Sequence, residues 1–364
     1  MNYTIELFRG IAAFMVLNSH YVRFLSEQRN LLHFLWTGVD FFFVISGFVF
    51  ARTILFKNAH FIPYITRRFF RIYPLYICSL AFYYYITPEH AEKTTFLLKH
   101  ILFLQTTSSL SEAFYFNPAY WSLPVEMEFY FFVPLLGWLC KKYGIAILWR
   151  SIPLLIGIKI FLTLNSNPQP AMFNVYNSLN IHLPGKIVEF LVGIFLYNAF
   201  EHYYERNLNR GQLFAVSMLG FLIILGLGMV FVTYGDEGIN KVFLLRAILN
   251  ISCAVGYGLI LFSFLFLFKQ NHPKMRSIST FAGNISYGVY LFHNLLPIAL
   301  LKLNIPVSGV SAYFSCIIAV IILSLIFHYS VENPCRQFGR YLSKKYELHA
   351  DKQRRGDHDH PHRT

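Results

Sequence analysis

Two ionisable residues lie inside the first long apolar stretch of the chain. Arg9 and His20 stand in the segment FRGIAAFMVLNSHY, eleven residues apart. Eleven residues are about three helical turns, so both side chains should project from one helical face. Ionisable residues in apolar spans are rare and by default mark a functional site. A histidine there suits proton transfer, whereas Arg9 has two interpretations: an anchor paired with Glu6, or part of a polar route toward His20.

A third ionisable residue opens the second apolar run. Asp40 stands in GVDFFFVISGF, and two antiparallel helices joined by a short loop would place it level with His20. A carboxylate beside an imidazole fixes the tautomer and stabilises the imidazolium, as a general base requires. We therefore expect Asp40 to orient His20. The alternative is an ion pair or hydrogen bond that only joins the two helices.

Basic residues follow in the segment ITRRFFRIYPLY. Arg68 and Arg71 are three residues apart and share a helical face, which is a spacing that could bind phosphate groups. Arg67 precedes them directly. The alternative is a cluster of basic residues at the cytoplasmic end of a span, where such clusters set membrane topology.

Acidic and aromatic residues meet in the segment AYWSLPVEMEFYFFVP. Glu126 and Glu128 stand where a loop enters an apolar run, a position that suits acid–base chemistry or binding of a polar acceptor. An interfacial aromatic belt with solvated carboxylates is the alternative. His293 lies near the middle of a later apolar run. The candidate residues for the acceptor side are Trp121, Ser122, Tyr290 and His293.

The composition places these residues in a membrane protein. The 364 residues are 55% hydrophobic and only 13% charged, with a mean hydropathy of +0.46, whereas soluble domains carry about 25% charged residues. A span needs about 20 apolar residues. We predict an all-α, polytopic fold with about ten transmembrane helices, at 4–25, 33–56, 70–87, 125–140, 146–164, 183–200, 212–234, 245–268, 279–302 and 310–330.

The distribution of basic residues predicts the topology and the domains. Lys and Arg are more frequent in alternate loops, which places both termini in the cytoplasm. We expect one membrane domain over 1–340 and a basic, His-rich, disordered tail over 341–364. The net charge of +13 reflects these loops and indicates contacts with anionic membrane lipids, not nucleic acid. The five cysteines form no metal-binding pattern, and we predict no metal site.

Six segments in this order resemble acyltransferase family 3, the multi-spanning acyltransferases of bacterial surface polysaccharides. They are FRGIAAFMVLNSH, GVDFFFVISGF, RRFFRIYP, WSLPVEMEFY, ISYGVYLFH and VENP. The resemblance covers about residues 4–340. It implies an enzyme of the bacterial inner membrane that transfers an acyl group, acetyl by expectation, from acyl-coenzyme A to a hydroxyl of a surface polysaccharide or lipid-linked sugar.

The resemblance also implies roles for individual residues. The histidine that matches His20 and the arginine that matches Arg9 are essential in the family, and the arginines that match Arg68 and Arg71 are linked to handling of coenzyme A. The common family pattern Glu-Glu-Gln reads Glu126-Met127-Glu128 here. Of these three positions, only Glu126 is therefore assigned to the site by the resemblance.

The sequence thus predicts an O-acyltransferase with His20 as general base. An acyl-histidine intermediate is left open, because histidine can also act as a nucleophile. Two other classes of protein also remain open. One is a proton-coupled transporter of a glycan or lipid, with His20, Asp40 and His293 as a proton relay. The other is a sensor or scaffold without chemistry. The sequence is also compatible with a homo-oligomer.

Overall fold

The computed structural model describes residues 2–56, 61–107, 109–166, 175–268, 273–305 and 308–356. Within these ranges the protein is all-helical and contains no β-strand. The helices are α1 (Tyr3–Tyr21), α2 (Gly38–Phe56), α3 (Phe61–Ile86), α4 (Lys93–Ile101), α5 (Leu110–Phe114), α6 (Ser122–Tyr143), α7 (Ala146–Leu164), α8 (Val175–Ile181), α9 (Leu183–Tyr203), α10 (Arg210–Lys241), α11 (Phe243–Leu267), α12 (Pro273–Phe292), α13 (Leu295–Lys302), α14 (Gly309–Phe327) and α15 (Asn333–Gly356). A π-helical turn, His328–Glu332, joins α14 to α15.

Seven helical segments in the described part of the chain are long and apolar enough to cross a membrane. They contain the predicted spans at 33–56, 125–140, 146–164, 183–200, 212–234 and 310–330, and all but the last residue of the span at 245–268. The other three predicted spans fall on α1, α3 and α12 with α13, which are helical but carry more polar residues. The polytopic, all-helical prediction is confirmed, whereas the count of ten spans and the cytoplasmic termini stay predictions.

Glycines allow the central helices to approach closely. A Cβ atom at Gly47 of α2 would lie 2.0 Å from the carbonyl oxygen of Phe190, and one at Gly193 of α9 would lie 2.0 Å from that of Val44. Small residues at helix contacts are the usual means of tight packing in membranes. The α2–α9 contact brings the charged residues of both helices together. At Gly10, α1 approaches α12 in the same way, because a Cβ there would lie 2.6 Å from that of Ala282.

The C-terminal helix α15 packs antiparallel on α3. The rings of Phe70 and Phe338 have centroids 5.3 Å apart, and the buried Ser343 hydroxyl donates to the carbonyl oxygen of Pro63 at 3.0 Å. The structure differs here from the prediction of a disordered tail over 341–364, because α15 continues to Gly356 and residues 357–364 lie outside the described residues. The stabilising contacts involve α3, far away in sequence, so local composition does not reveal them.

Candidate active site

His20 lies at the end of α1 with its imidazole against that of His293. The ring centroids are 5.0 Å apart, and His20 is half-buried. No described residue forms a hydrogen bond with either ring nitrogen of His20. The ring can therefore accept a proton from a molecule that enters the site.

His293 is held in one tautomer by its neighbours. Its Nδ1 lies 2.9 Å from the carbonyl oxygen of Tyr290, which can only accept, so Nδ1 carries the proton. Its Nε2 lies 3.0 Å from the amide nitrogen of Asn294, which can only donate. His293 is therefore neutral with both nitrogens engaged, and its own carbonyl accepts from the Tyr21 hydroxyl at 2.5 Å. Of this pair, His20 is the member available for proton transfer.

Asp40 lies away from His20, and the predicted pairing of these two residues is wrong. Both Asp40 oxygens accept from the Asn250 amide at 3.0 Å, and Oδ1 also accepts from Lys186 Nζ at 3.1 Å. Asp40 and Lys186 are 0% and 2% exposed. The Asp40 carboxylate is thus satisfied by α9 and α11, and among the described residues no contact joins it to His20.

The Asp40 pair belongs to a larger buried cluster. Glu189 lies 3.4 Å from Lys186 Nζ, and Lys159, whose Nζ donates to the Gly185 carbonyl at 2.7 Å, is in electrostatic range. Two carboxylates and two amines therefore face one another with no net charge. The Trp121 ring covers Lys186 at 5.5 Å, which places Trp121 against this cluster.

A small cavity contains Arg9 and Glu126. Its volume is about 50 Å³, and its polar lining comprises Arg9, Ser46, Ser122, Glu126, Ser286, Tyr287 and Tyr290. Arg9 also forms an ion pair with Glu6 at 3.5 Å. Glu126 accepts from Ser46 at 3.4 Å and from the Tyr130 hydroxyl. Glu126 thus lies in one cavity with Arg9, and the acceptor-side candidates Ser122 and Tyr290 line the same cavity.

Tyr290 links this cavity to the histidine pair. Its hydroxyl lies 2.5 Å from the Ser122 hydroxyl, and its ring centroid is 6.2 Å from that of His293. The predicted residues Ser122, Tyr290 and His293 therefore form one continuous wall between Arg9 and His20.

The three arginines of α3 have different surroundings. Arg67 donates to the Ser343 hydroxyl and to Glu347 at 2.8 Å, so α15 engages it. The Arg68 guanidinium lies 4.8 Å from the Phe50 ring centroid, and its buried Nε has no hydrogen bond within the described chain. Arg71 lies in electrostatic range of Arg9 and Arg68. No described residue pairs with it.

Three groups were not singled out from the sequence. Lys186 and Glu189 lie in the apolar run LPGKIVEFLVGIF, so the argument applied to Arg9 would have found them. Arg336 lies two residues after VENP and pairs with Glu332 at 3.4 Å. His182 lies 2.6 Å from Glu128 and 3.1 Å from the Thr106 carbonyl. Nothing in the local sequence around His182 indicates these contacts.

Comparison with known proteins agrees with the motif order. A family model described as an acyltransferase domain, that of acyltransferase family 3, matches residues 2–329. A protein of Acidianus two-tailed virus, named "Putative acetyltransferase ORF330", is 28% identical over 272 residues, which are 72% of this chain and 73% of that protein. No solved structure matches. Because the family model covers most of the chain, the protein belongs to acyltransferase family 3 and is a membrane acyltransferase.

Proposed function

We propose that the protein transfers an acyl group from acyl-coenzyme A to a hydroxyl of a surface polysaccharide or lipid-linked sugar at the bacterial inner membrane. We expect the acyl group to be acetyl. The observation that carries this proposal is the state of His20: its ring nitrogens are unpaired beside a neutral, fixed His293. An unpaired imidazole against a neutral ring is free to accept the proton of an acceptor hydroxyl, as a general base requires.

In this mechanism His20 takes the proton of the acceptor hydroxyl while that oxygen attacks the thioester carbonyl carbon. The new O–C bond forms, the C–S bond breaks, and the thiolate leaves with the proton that the imidazolium returns. His293 holds its position through Tyr290 and Asn294 and keeps a second positive charge away from His20. Asp40 has no part in this step, because Lys186 and Asn250 occupy its oxygens.

The distance along α1 supports a donor with a long arm. Arg9 and His20 are eleven residues apart, and 1.5 Å per residue separates them by about 16 Å. Arg9, Arg68 and Arg71 would bind phosphate groups at one end, and the acyl group would react at the other. Coenzyme A separates its phosphates from its thioester by a flexible pantetheine arm. An acyl phosphate joins both groups directly and would not span the two ends.

His20→Ala and His20→Gln test this function. We expect acyl transfer by the purified protein, measured as thiol release from acyl-coenzyme A, to fall about 100-fold or more. The control is His90→Gln, at an exposed histidine outside the apolar segments. Mass spectrometry of surface glycans with and without each variant would identify the acyl group and the acceptor. Near-normal acylation by folded His20→Ala protein would contradict the proposal.

No contact among the described residues favours the transporter alternative. The proton relay that it requires runs through His20, Asp40 and His293, but Asp40 is bonded to Lys186 and Asn250. Acylation of a glycan by purified protein in detergent, where no second compartment exists, would distinguish an acyltransferase from an exporter.

A further inference from the structure

The packing of α15 on α3 brings two more arginines to the arginine end of the site. Three contacts fix the register of these antiparallel helices: Arg67 with Glu347, Phe70 with Phe338, and Pro63 with Ser343. In this register Arg71 lies opposite the stretch of α15 between Arg336 and Arg340. These two arginines are four residues apart and so project from one face of α15.

Arg336 lies in the interior of this region. Its side chain is 23% exposed, and it is in electrostatic range of Arg71, Arg9 and Arg340. Its ion-pair partner among the described residues is Glu332, at 3.4 Å. Arg340, one turn further along α15, is exposed. The arginines therefore run from the cavity that contains Arg9 to the surface.

The π-helical turn before α15 holds the carboxylate that orients Arg336. Glu332 is 4% exposed and accepts from His328 Nδ1 at 2.9 Å through one oxygen, while the other faces Arg336. π-Helical turns are rare and are found frequently at functional sites. The Arg336 guanidinium is thus fixed on one side and keeps further N–H groups for another partner.

The charges in this region do not balance. Among the described residues, four partly buried arginines, Arg9, Arg68, Arg71 and Arg336, face three carboxylates, those of Glu6, Glu126 and Glu332, and the exposed Arg340 adds a fifth guanidinium at the surface. Arg67 and Glu347 neutralise each other nearby. Positive charge that is removed from water without a partner is costly. The excess therefore favours binding of an anion, and clustered guanidinium groups are most complementary to phosphate.

We propose that Arg336 and Arg340 of α15, together with Arg68 and Arg71 of α3, form a two-walled clamp for a group of clustered phosphates. This inference deepens the proposed function, since it assigns the phosphates of acyl-coenzyme A to a site whose second wall is the C-terminal helix. An anionic lipid headgroup offers the same chemistry, and the experiment distinguishes the two sources.

The test measures binding of coenzyme A to purified full-length protein in nanodiscs of neutral phosphatidylcholine. Arg336→Gln should weaken binding about 10- to 100-fold, which is the range expected for lost hydrogen bonds to charged groups. Arg340→Gln should weaken it less, because this side chain is exposed. Arg150→Gln, at an exposed arginine of α7, is the matched control and should bind normally. Pantetheine, which has no phosphate, should bind all four proteins equally weakly.

A second variant at Arg336 controls for misfolding. Arg336→Lys retains the charge but loses the planar fork, so it should fold normally and show an intermediate affinity. Normal affinity for coenzyme A in folded Arg336→Gln protein would overturn the clamp and leave the proposed function intact. If the unsubstituted protein binds no coenzyme A, the proposed function fails. In that case inorganic pyrophosphate is the probe for the clamp. The clamp would still be supported if the protein bound pyrophosphate less well in phosphatidylglycerol nanodiscs than in neutral ones, and if Arg336→Gln abolished this difference.

Discussion

The buried cluster around Asp40 allows a sharp test of whether this residue is catalytic or structural. In the Lys186→Met variant, an apolar side chain of similar length replaces the ammonium group that lies 3.1 Å from Asp40 and 3.4 Å from Glu189. Both carboxylates are 0% exposed, so no water compensates for the lost charge. The variant changes nothing near His20.

The expected magnitude follows from this burial. Removal of one partner of a buried ion pair costs about 3–5 kcal/mol in the free energy of unfolding, because the remaining charge is left uncompensated. Such a loss lowers the melting temperature on the order of 10 °C. In Asp40→Asn the amide can still accept from Asn250, and Lys186 keeps Glu189, so the cost should be only about 1–3 kcal/mol. The double variant should be more stable than Lys186→Met alone, since the two substituted residues interact directly.

The assay combines thermal unfolding in detergent with acyl transfer per mole of folded protein. We expect large stability losses with little change in the rate of the folded fraction. Glu205→Gln, at an exposed carboxylate, is the control and should be neutral. The reasoning would be refuted if Asp40→Asn kept its melting temperature but lost acyl transfer, because Asp40 would then act in the reaction.

Two further predictions concern packing and pH. Gly193→Ala should destabilise the α2–α9 contact by about 1–3 kcal/mol or more, because its Cβ would lie 2.0 Å from the Val44 carbonyl oxygen. Gly157→Ala, inside α7 with no atom within 4 Å, should in the same unfolding assay be neutral or stabilising by up to about 1 kcal/mol. Burial lowers the pKa of His100 on α4 to about 4. As the pH falls, His100 therefore binds a proton in the unfolded chain before it does so in the folded protein. The free energy of unfolding should decrease by about 3 kcal/mol as the pH falls from 6.5 to 4. His100→Gln should remove that part of the pH dependence, and an unchanged pH profile would contradict the assignment.

The sequence predicted the helices well and the partners of the charged residues poorly. Apolar runs are a local property, so the helical spans from α2 to α14 follow from composition and length. Asp40 shows where this approach fails. Its depth was inferred from the loop that joins α1 to α2, yet its partners Lys186 and Asn250 come from helices 146 and 210 residues away. Which helices become neighbours depends on close approaches such as that at Gly47, and no local pattern encodes them.

The buried charges of this protein fall into two kinds, and the distinction separates stability from function. The cluster of Asp40, Glu189, Lys159 and Lys186 is balanced in charge within the protein. The arginines near Arg9 have too few carboxylates, and His20 has no hydrogen-bond partner in the described chain. A buried polar group that the protein leaves unsatisfied costs free energy in the empty state, and that cost is recovered only when a ligand supplies the missing partner. Arg9 and His20 both lie on α1, so a single ligand that engaged both ends, as the proposed acyl donor would, has to extend along this helix.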